Sequence, residues 1–244
     1  MDVTLAAEKL FKIGPIPVTN TLLTTWLVTA ILLTIAYFAT RKVTLVPQGV
    51  QNVAETAVET LRDLVSSLAP EKTSVFLPII ASFFFFIILG NYFGLLPGVG
   101  TIGFHTMENG KATFIPLFRS INSDLNTTAA LAIVSVFATH FLAVRYLGLG
   151  GYLGKFLSLN PIFLFVGFLE IIGEVTKILS LSFRLFGNIF AGEVLLSTAS
   201  SKLFAFFIPI PFYLLELLVG FVQALIFAML TLVFMVILTE KQHH

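Results

Sequence analysis

The chain has 244 residues, of which 57% are hydrophobic and 11% charged, and its mean hydropathy is +0.98. Soluble domains carry about 25% charged residues, so this chain cannot cover a water-facing surface, and a soluble globule and a disordered chain are both excluded. With 14 basic against 13 acidic residues it has no basic face for nucleic acid, and the absence of cysteine excludes disulfides, thiolate nucleophiles and cysteine metal sites.

A polytopic, all-α membrane protein remains. At about 20 residues per span, the length allows roughly five or six helices. Residues 1–18 mix acids with bases (Asp2, Glu8, Lys9, Lys12) and contain Pro15 and Pro17; no small-residue cleavage site follows the first span, so they do not read as a signal peptide. The first apolar run, 19–40, stops at Arg41 and Lys42, a basic pair that favours the cytoplasmic side.

Residues 48–69 differ. Val50, Val53, Ala54, Ala57, Val58, Leu61, Leu64, Val65 and Leu68 recur at steps of three and four between polar residues. One apolar stripe on a polar helix predicts a surface helix lying on the membrane or on its neighbours, between Pro47 and Pro70. Residues 74–96 are the next span, stopped by Pro97 and Gly98. Residues 97–123 read as a loop holding His105, Glu108, Lys111 and Arg119. Another span covers 124–147 and ends near Arg145, and the glycine-rich stretch 148–155 reads as a turn.

Residues 161–200 hold no proline after the first position. As one helix they would be about 60 Å long, twice the roughly 30 Å of hydrocarbon. The segment is therefore two spans or one steeply tilted helix packed on something. Residues 211–239 are also overlong, at about 43 Å, and two such segments in a row predict a tilted hairpin around 202–209. The basic residues lean towards an outside N-terminus and a cytoplasmic C-terminus. Arg41, Lys42, Arg62, Lys72, Arg145, Lys155 and Lys241 then lie inside, against Lys9, Lys12, Lys111, Arg119 and Lys202 outside.

The costly charges sit in 161–200: Glu170, Glu174, Lys177, Arg184 and Glu193, with Asn188 among them. Each ionised group at mid-bilayer costs about 2.5–3.5 kcal/mol on insertion scales. Residues 170, 174, 177, 184 and 188 share one helix face at 100° per residue, whereas Glu193 is half a turn out of phase. Glu170, Glu174 and Lys177 are within reach of one another along that face; buried structural pairing and a functional role both fit them. Arg184 has no acid one turn away and a guanidinium cannot deprotonate, so it calls for an external partner or a water-filled path. Glu216 and Gln223, seven apart, share a face of the last helix.

At these residues the sequence resembles subunit a of the F-type ATP synthase membrane sector. The stretch 182–193, SFRLFGNIFAGE, carries the likeness most specifically. NYFGLLPG (91–98), DLNTTAALA (124–132), ALIFAMLTLVF (224–234) behind Gln223, and the short acidic, histidine-bearing tail 240–244 extend it. The resemblance implies a non-catalytic stator subunit, with ATP made in a soluble head. It would sit beside a ring of c subunits with buried carboxylates and would be held by peripheral-stalk subunit b. Two offset half-channels would pass H⁺, with Na⁺ the alternative, to and from the ring. Arg184 matches the family's essential arginine between the half-channels. Asn188, Glu193 and Gln223 match polar residues of the outside half-channel, Asp124 and Asn126 residues near its mouth, and Glu170 the acid of the inside one. Glu216 stands where some bacterial members carry histidine, and Gly192 at a position that varies with it. Lys177 matches a frequent lysine of unassigned role. His140 reads as a packed histidine rather than a relay member. No cofactor or metal is implied, and a bacterial inner membrane is expected rather than a plastid one.

A stand-alone secondary transporter or channel would also use intramembrane charges, but the chain shows no obvious internal repeat. An intramembrane hydrolase would need a nucleophile with its base, or metal ligands. Neither a His-Glu-x-x-His nor a Gly-x-Ser-x-Gly pattern occurs, and two of the four histidines are at the tail.

Overall fold

The computed structural model describes residues 7–14, 16–41, 49–96, 98–108, 111–156, 161–202 and 209–240. Six α-helices occupy most of them: α1 Asn20–Thr40, α2 Val50–Leu68, α3 Thr73–Gly94, α4 Leu125–Phe156, α5 Pro161–Lys202 and α6 Pro209–Thr239. Two antiparallel hairpins accompany them, β1 Lys9–Ile13 with β2 Ile16–Thr19, and β3 Gly103–Glu108 with β4 Lys111–Pro116. Lys42, Pro47, Pro97, the residues 203–208 at the expected hairpin turn and the tail 241–244 lie outside the described residues.

Composition explains the layout. Helix α1, the stretch Pro70–Gly94, Leu125–Gly154 within α4, and α6 are each long and apolar enough to cross a membrane. Helix α5 is longer still, but its charges set it apart from these four. It packs along both α4 and α6, while α3 packs on α6, so α5 belongs to the same layer. The chain is an all-α, multi-pass membrane protein.

The core lies where α2–α6 meet. Leu61 and Val65 from the stripe of α2 pack on Phe76 and Ile80 of α3, and Leu185, Phe227 and Leu232 continue the cluster. Only part of the α2 stripe is covered, since Val53 is 71% exposed. That agrees with a helix lying at a surface, one face on its neighbours. Lys72 Nζ ties the far end of α6, donating to Thr239 O at 3.1 Å and Thr239 Oγ1 at 3.0 Å.

Two regions differ from the sequence reading. The loop 97–123 contains the β3–β4 hairpin and a 3₁₀ turn, Ile121–Ser123. Backbone groups near an interface need partners, and a hairpin supplies them locally. The glycine-rich stretch 148–155 is not an open turn. Only Gly148 leaves the helical region (φ 71°), and a helical turn resumes to residue 156. A positive φ suits glycine alone, so one residue makes the kink and the other glycines stay helical.

Candidate functional site

Helix α5 carries Arg184 at its middle, with polar groups displaced along the axis in both directions. The Arg184 side chain is exposed on the protein's own surface, and its Nη2 donates to Ser180 Oγ at 3.2 Å. Among the described residues no carboxylate pairs with it. It lines an open groove of about 410 Å³ with Gly173, Thr176, Lys177, Ser180, Leu230 and Phe234. A charged group left without an acid inside a hydrophobic layer is costly.

Towards the C-terminal end of α5 come Asn188, Gly192 and Glu193. Asn188 Nδ2 donates to Gln223 Oε1 at 2.7 Å, joining α5 to α6 by the two residues singled out together in the sequence. Glu216 is buried on α6, and its carboxylate occupies the space a Cβ on Gly192 would fill. The proximity of the two positions was legible only through the resemblance; the geometry gives its cause. Glu193 faces away from the Arg184 stripe, as its phase requires. It pairs with Arg119 Nε at 3.3 Å.

Arg119 is the main surprise. Expected in the loop 97–123, it is only 5% exposed. Its Nε also donates to Ser123 Oγ at 3.1 Å, and its backbone N–H donates to Thr24 Oγ1 at 3.3 Å. The loop is thus folded inward between α1, α3 and α5. It passes close to α3, where a Cβ on Gly94 would sit 2.6 Å from Ser120 Cβ. Asn122 Nδ2 donates to Asn91 Oδ1 at 2.7 Å, and Asn91 Nδ2 to Gly220 O at 3.0 Å. Ser120 Oγ and Asn122 Oδ1 are buried with no hydrogen-bond partner among the described residues.

Asp124 closes this polar seam and starts α4. Its Oδ1 accepts from the Asn126 backbone N–H at 3.0 Å and from Asn126 Nδ2 at 3.2 Å. Its Oδ2 accepts from Thr21 Oγ1 of α1 at 3.0 Å. The first contact is an N-cap, which supplies one of the orphan donors of a helix start. Asp124→Ala should cost about 1 kcal/mol from the cap, a fall of roughly 2–4 °C in the detergent melting temperature for a chain this long. Asp124→Asn keeps a capping oxygen and should melt near the parent. Equal losses in both variants would shift the explanation from the cap to the charge.

Towards the N-terminal end of α5, Glu174 accepts from Lys177 Nζ at 2.7 Å, the i,i+3 pair its spacing predicts. Glu174 also meets His140 Nε2 of α4 at 3.3 Å. The other ring nitrogen, Nδ1, lies 2.9 Å from Tyr152 Oη. Glu170 makes no hydrogen bond or ion pair among the described residues, though it is an electrostatic neighbour of Tyr152. Thus Arg184 stands between two separate polar sets. No group of three or more His, Cys, Asp or Glu able to hold a metal occurs among the described residues.

Comparison with known proteins agrees on one family. A family model described as ATP synthase A chain matches residues 22–236. ATP synthase subunit a 2 of Bradyrhizobium sp. is 35% identical over 94% of this chain and 93% of its own length. ATP synthase subunit a of Moorella thermoacetica is 34% identical, over 93% of each. The subunit a of Syntrophobacter fumaroxidans is 32% identical over 90% of this chain and 84% of its own length.

Proposed function

This chain belongs to the ATP synthase A chain family, and from that premise we propose how it moves ions through its membrane. It is an ion-translocating, non-catalytic stator subunit of an F-type ATP synthase membrane sector. In our reading two half-channels, offset along α5, carry protons to and from the carboxylates of a rotating c-ring. Arg184 separates them.

The carrying observation is the exposed, acid-free guanidinium in a groove, with one polar set on each side of it along a single helix. At 1.5 Å per residue, Glu174 lies about 15 Å from Arg184 in one direction and Glu193 about 13 Å in the other. The outside route runs past Asp124 and Asn126, along Arg119 and Glu193, to Glu216, Asn188 and Gln223. Ser120 Oγ and Asn122 Oδ1 lie near its start, and buried polar atoms without protein partners suit a hydrated path. The inside route passes Glu170 and the groove beside Lys177. A proton entering from outside neutralises a ring carboxylate, which can then move into lipid. After nearly a full turn it leaves on the inside.

Beside Arg184 a ring carboxylate is held ionised, because a nearby positive charge favours the charged form. The same charge opposes a proton crossing from one route to the other. Helices α5 and α6, about 63 Å and 46 Å long, are tilted against the ring. Subunit b of the peripheral stalk holds the chain fixed, and the soluble head engages it indirectly. The N-terminus faces outside and the C-terminus the cytoplasm of a bacterial inner membrane.

The chain contains no cysteine, so one introduced at Ser180 is the only thiol it brings. In the assembled complex, Ser180→Cys should cross-link to a cysteine placed one turn from the ring carboxylate. A cross-link from Val53→Cys on α2 but none from Ser180→Cys would place the ring on the wrong face and sink this reading.

A further inference from the structure

The cluster of Tyr152, His140, Glu174 and Lys177 lies beside the inside route, and no proton-carrying step has yet been given to Tyr152, His140 or Glu174. It joins α4 to α5 and ends in the wall of the Arg184 groove, because Lys177 lines that groove. Four features set it apart from a simple ion pair. Lys177 alone would neutralise Glu174, at 2.7 Å, yet a histidine from another helix approaches the same carboxylate. Both nitrogens of the His140 ring have polar partners, an acid on one side and a phenol on the other. The phenol is brought back to the ring across the Gly148 kink, the one non-helical residue within α4. Finally, the side chains are neither sealed nor free: Glu174 is 12%, His140 23% and Lys177 28% exposed.

We propose that Tyr152, His140 and Glu174 form a proton relay, with Lys177 orienting Glu174, that exchanges protons with the groove on the side of Arg184 away from Glu193. The proposal rests on the half-channel reading above and adds carriers to the inside route. A neutral imidazole carries one N–H and one bare nitrogen, so it can take a proton at one and give a proton from the other. In the neutral ring, Nε2–H donates to Glu174 and Nδ1 accepts from the Tyr152 hydroxyl. Glu174 takes the Nε2 proton, while Nδ1 receives the Tyr152 hydroxyl proton and the phenol takes a proton from water in its place. One proton enters and one leaves the ring, which ends as its other neutral tautomer. Glu174, now a carboxylic acid, passes its proton to water in the groove. Run backwards, the same steps carry a proton from the groove outwards. Lys177 donates to Glu174 Oε1 and leaves Oε2 for His140, so it fixes which oxygen receives the proton.

The neighbouring charges fit this use. Helix α5 presents Glu170, Glu174 and Lys177 to the cluster, and α4 presents Tyr152 and His140 itself. Helix α6 faces it with Phe234, over whose ring Lys177 Nζ sits at 4.8 Å. The buried acid of α6, Glu216, is at the other end of α5 against Gly192.

The test uses inverted vesicles carrying the whole complex, with ATP-driven acidification measured first and passive proton conduction measured after the soluble head is stripped. Glu174→Gln keeps size and hydrogen bonding but cannot carry a proton. Its conduction should fall by roughly 10²-fold, the lower end of what a positioned proton-transferring group contributes. Glu174→Asp should recover most of that loss. His140→Gln should lower conduction by a similar factor. Ring co-purification should be unchanged in all three.

Parent-like rates in Glu174→Gln and His140→Gln would overturn the relay. So would equal losses in the Gln and Asp variants, or loss of the ring, since either assigns the cluster to packing. An Arg184→Ala control separates the two levels. If it abolishes pumping while the relay variants are silent, the relay falls and the half-channel reading stands. If it pumps normally, the half-channel reading falls.

Discussion

Arg184→Ala should leave the complex assembled and abolish ATP-driven acidification of inverted vesicles. Assembly should survive because, among the described residues, the side chain makes one hydrogen bond, to Ser180 Oγ, and is not part of the packed core. Pumping should not, because in the proposed mechanism this permanent charge, which costs about 2.5–3.5 kcal/mol in a hydrophobic layer, is there to meet the ring carboxylate. Without it a ring carboxylate passing the groove has no fixed cation and remains protonated, so rotation no longer carries net protons. Passive leak, read after stripping the soluble head, should be unchanged or raised. Each charge crossing 100 mV dissipates about 2.3 kcal/mol, so a raised leak shows as a collapsed gradient even with slow rotation. Undiminished pumping would show that Arg184 is not at the ring and would return a stand-alone transporter to the front.

Much of this arrangement is legible in the sequence because helices repeat. The stripe of α2 follows from steps of three and four, and Leu61 and Val65 of that stripe are the residues buried against α3. The common phase of Glu174, Lys177 and Arg184, with Glu193 turned away, follows from 100° per residue, and the structure keeps that division. The contact of Asn188 with Gln223 is between helices, yet both residues stood out as polar groups in apolar runs.

What the sequence hides lies where no period operates. Arg119 sits in a stretch of mixed composition, and nothing local says that 97–123 folds back between α1, α3 and α5. Its partner Glu193 is 74 residues away. Asn91, Asn122 and Gly220 are joined by two hydrogen bonds across such separations. The only sequence signal for them is that buried apolar surroundings make an asparagine seek a partner. The contacts of His140 are hidden for a similar reason. A lone histidine in a span carries no mark of the acid on the next helix, and the kink that returns Tyr152 to it depends on the φ of Gly148.

The sharpest consequence of the packing is at Gly192. The Glu216 carboxylate fills the space of a missing side chain there, so the two positions share one volume. Gly192→Asp should cut pumping by about tenfold or more, a loss of at least roughly 1.4 kcal/mol in the driving step, because two carboxyl groups then compete for a site built for one. Glu216→Gly should lose a similar amount by removing the acid. Combining them returns a single carboxyl group to the same space, carried by α5 instead of α6. The double variant should therefore pump better than either single one. Residues in contact couple by about 0.5–3 kcal/mol, so the recovery should be visible as a departure from additivity in a double-mutant cycle. Losses that simply multiply would mean that the shared volume has no part in proton transfer. In that case Glu216 acts through Glu193, an acid within its electrostatic reach, and Glu193→Gln rather than Gly192→Asp becomes the variant whose effect depends on Glu216.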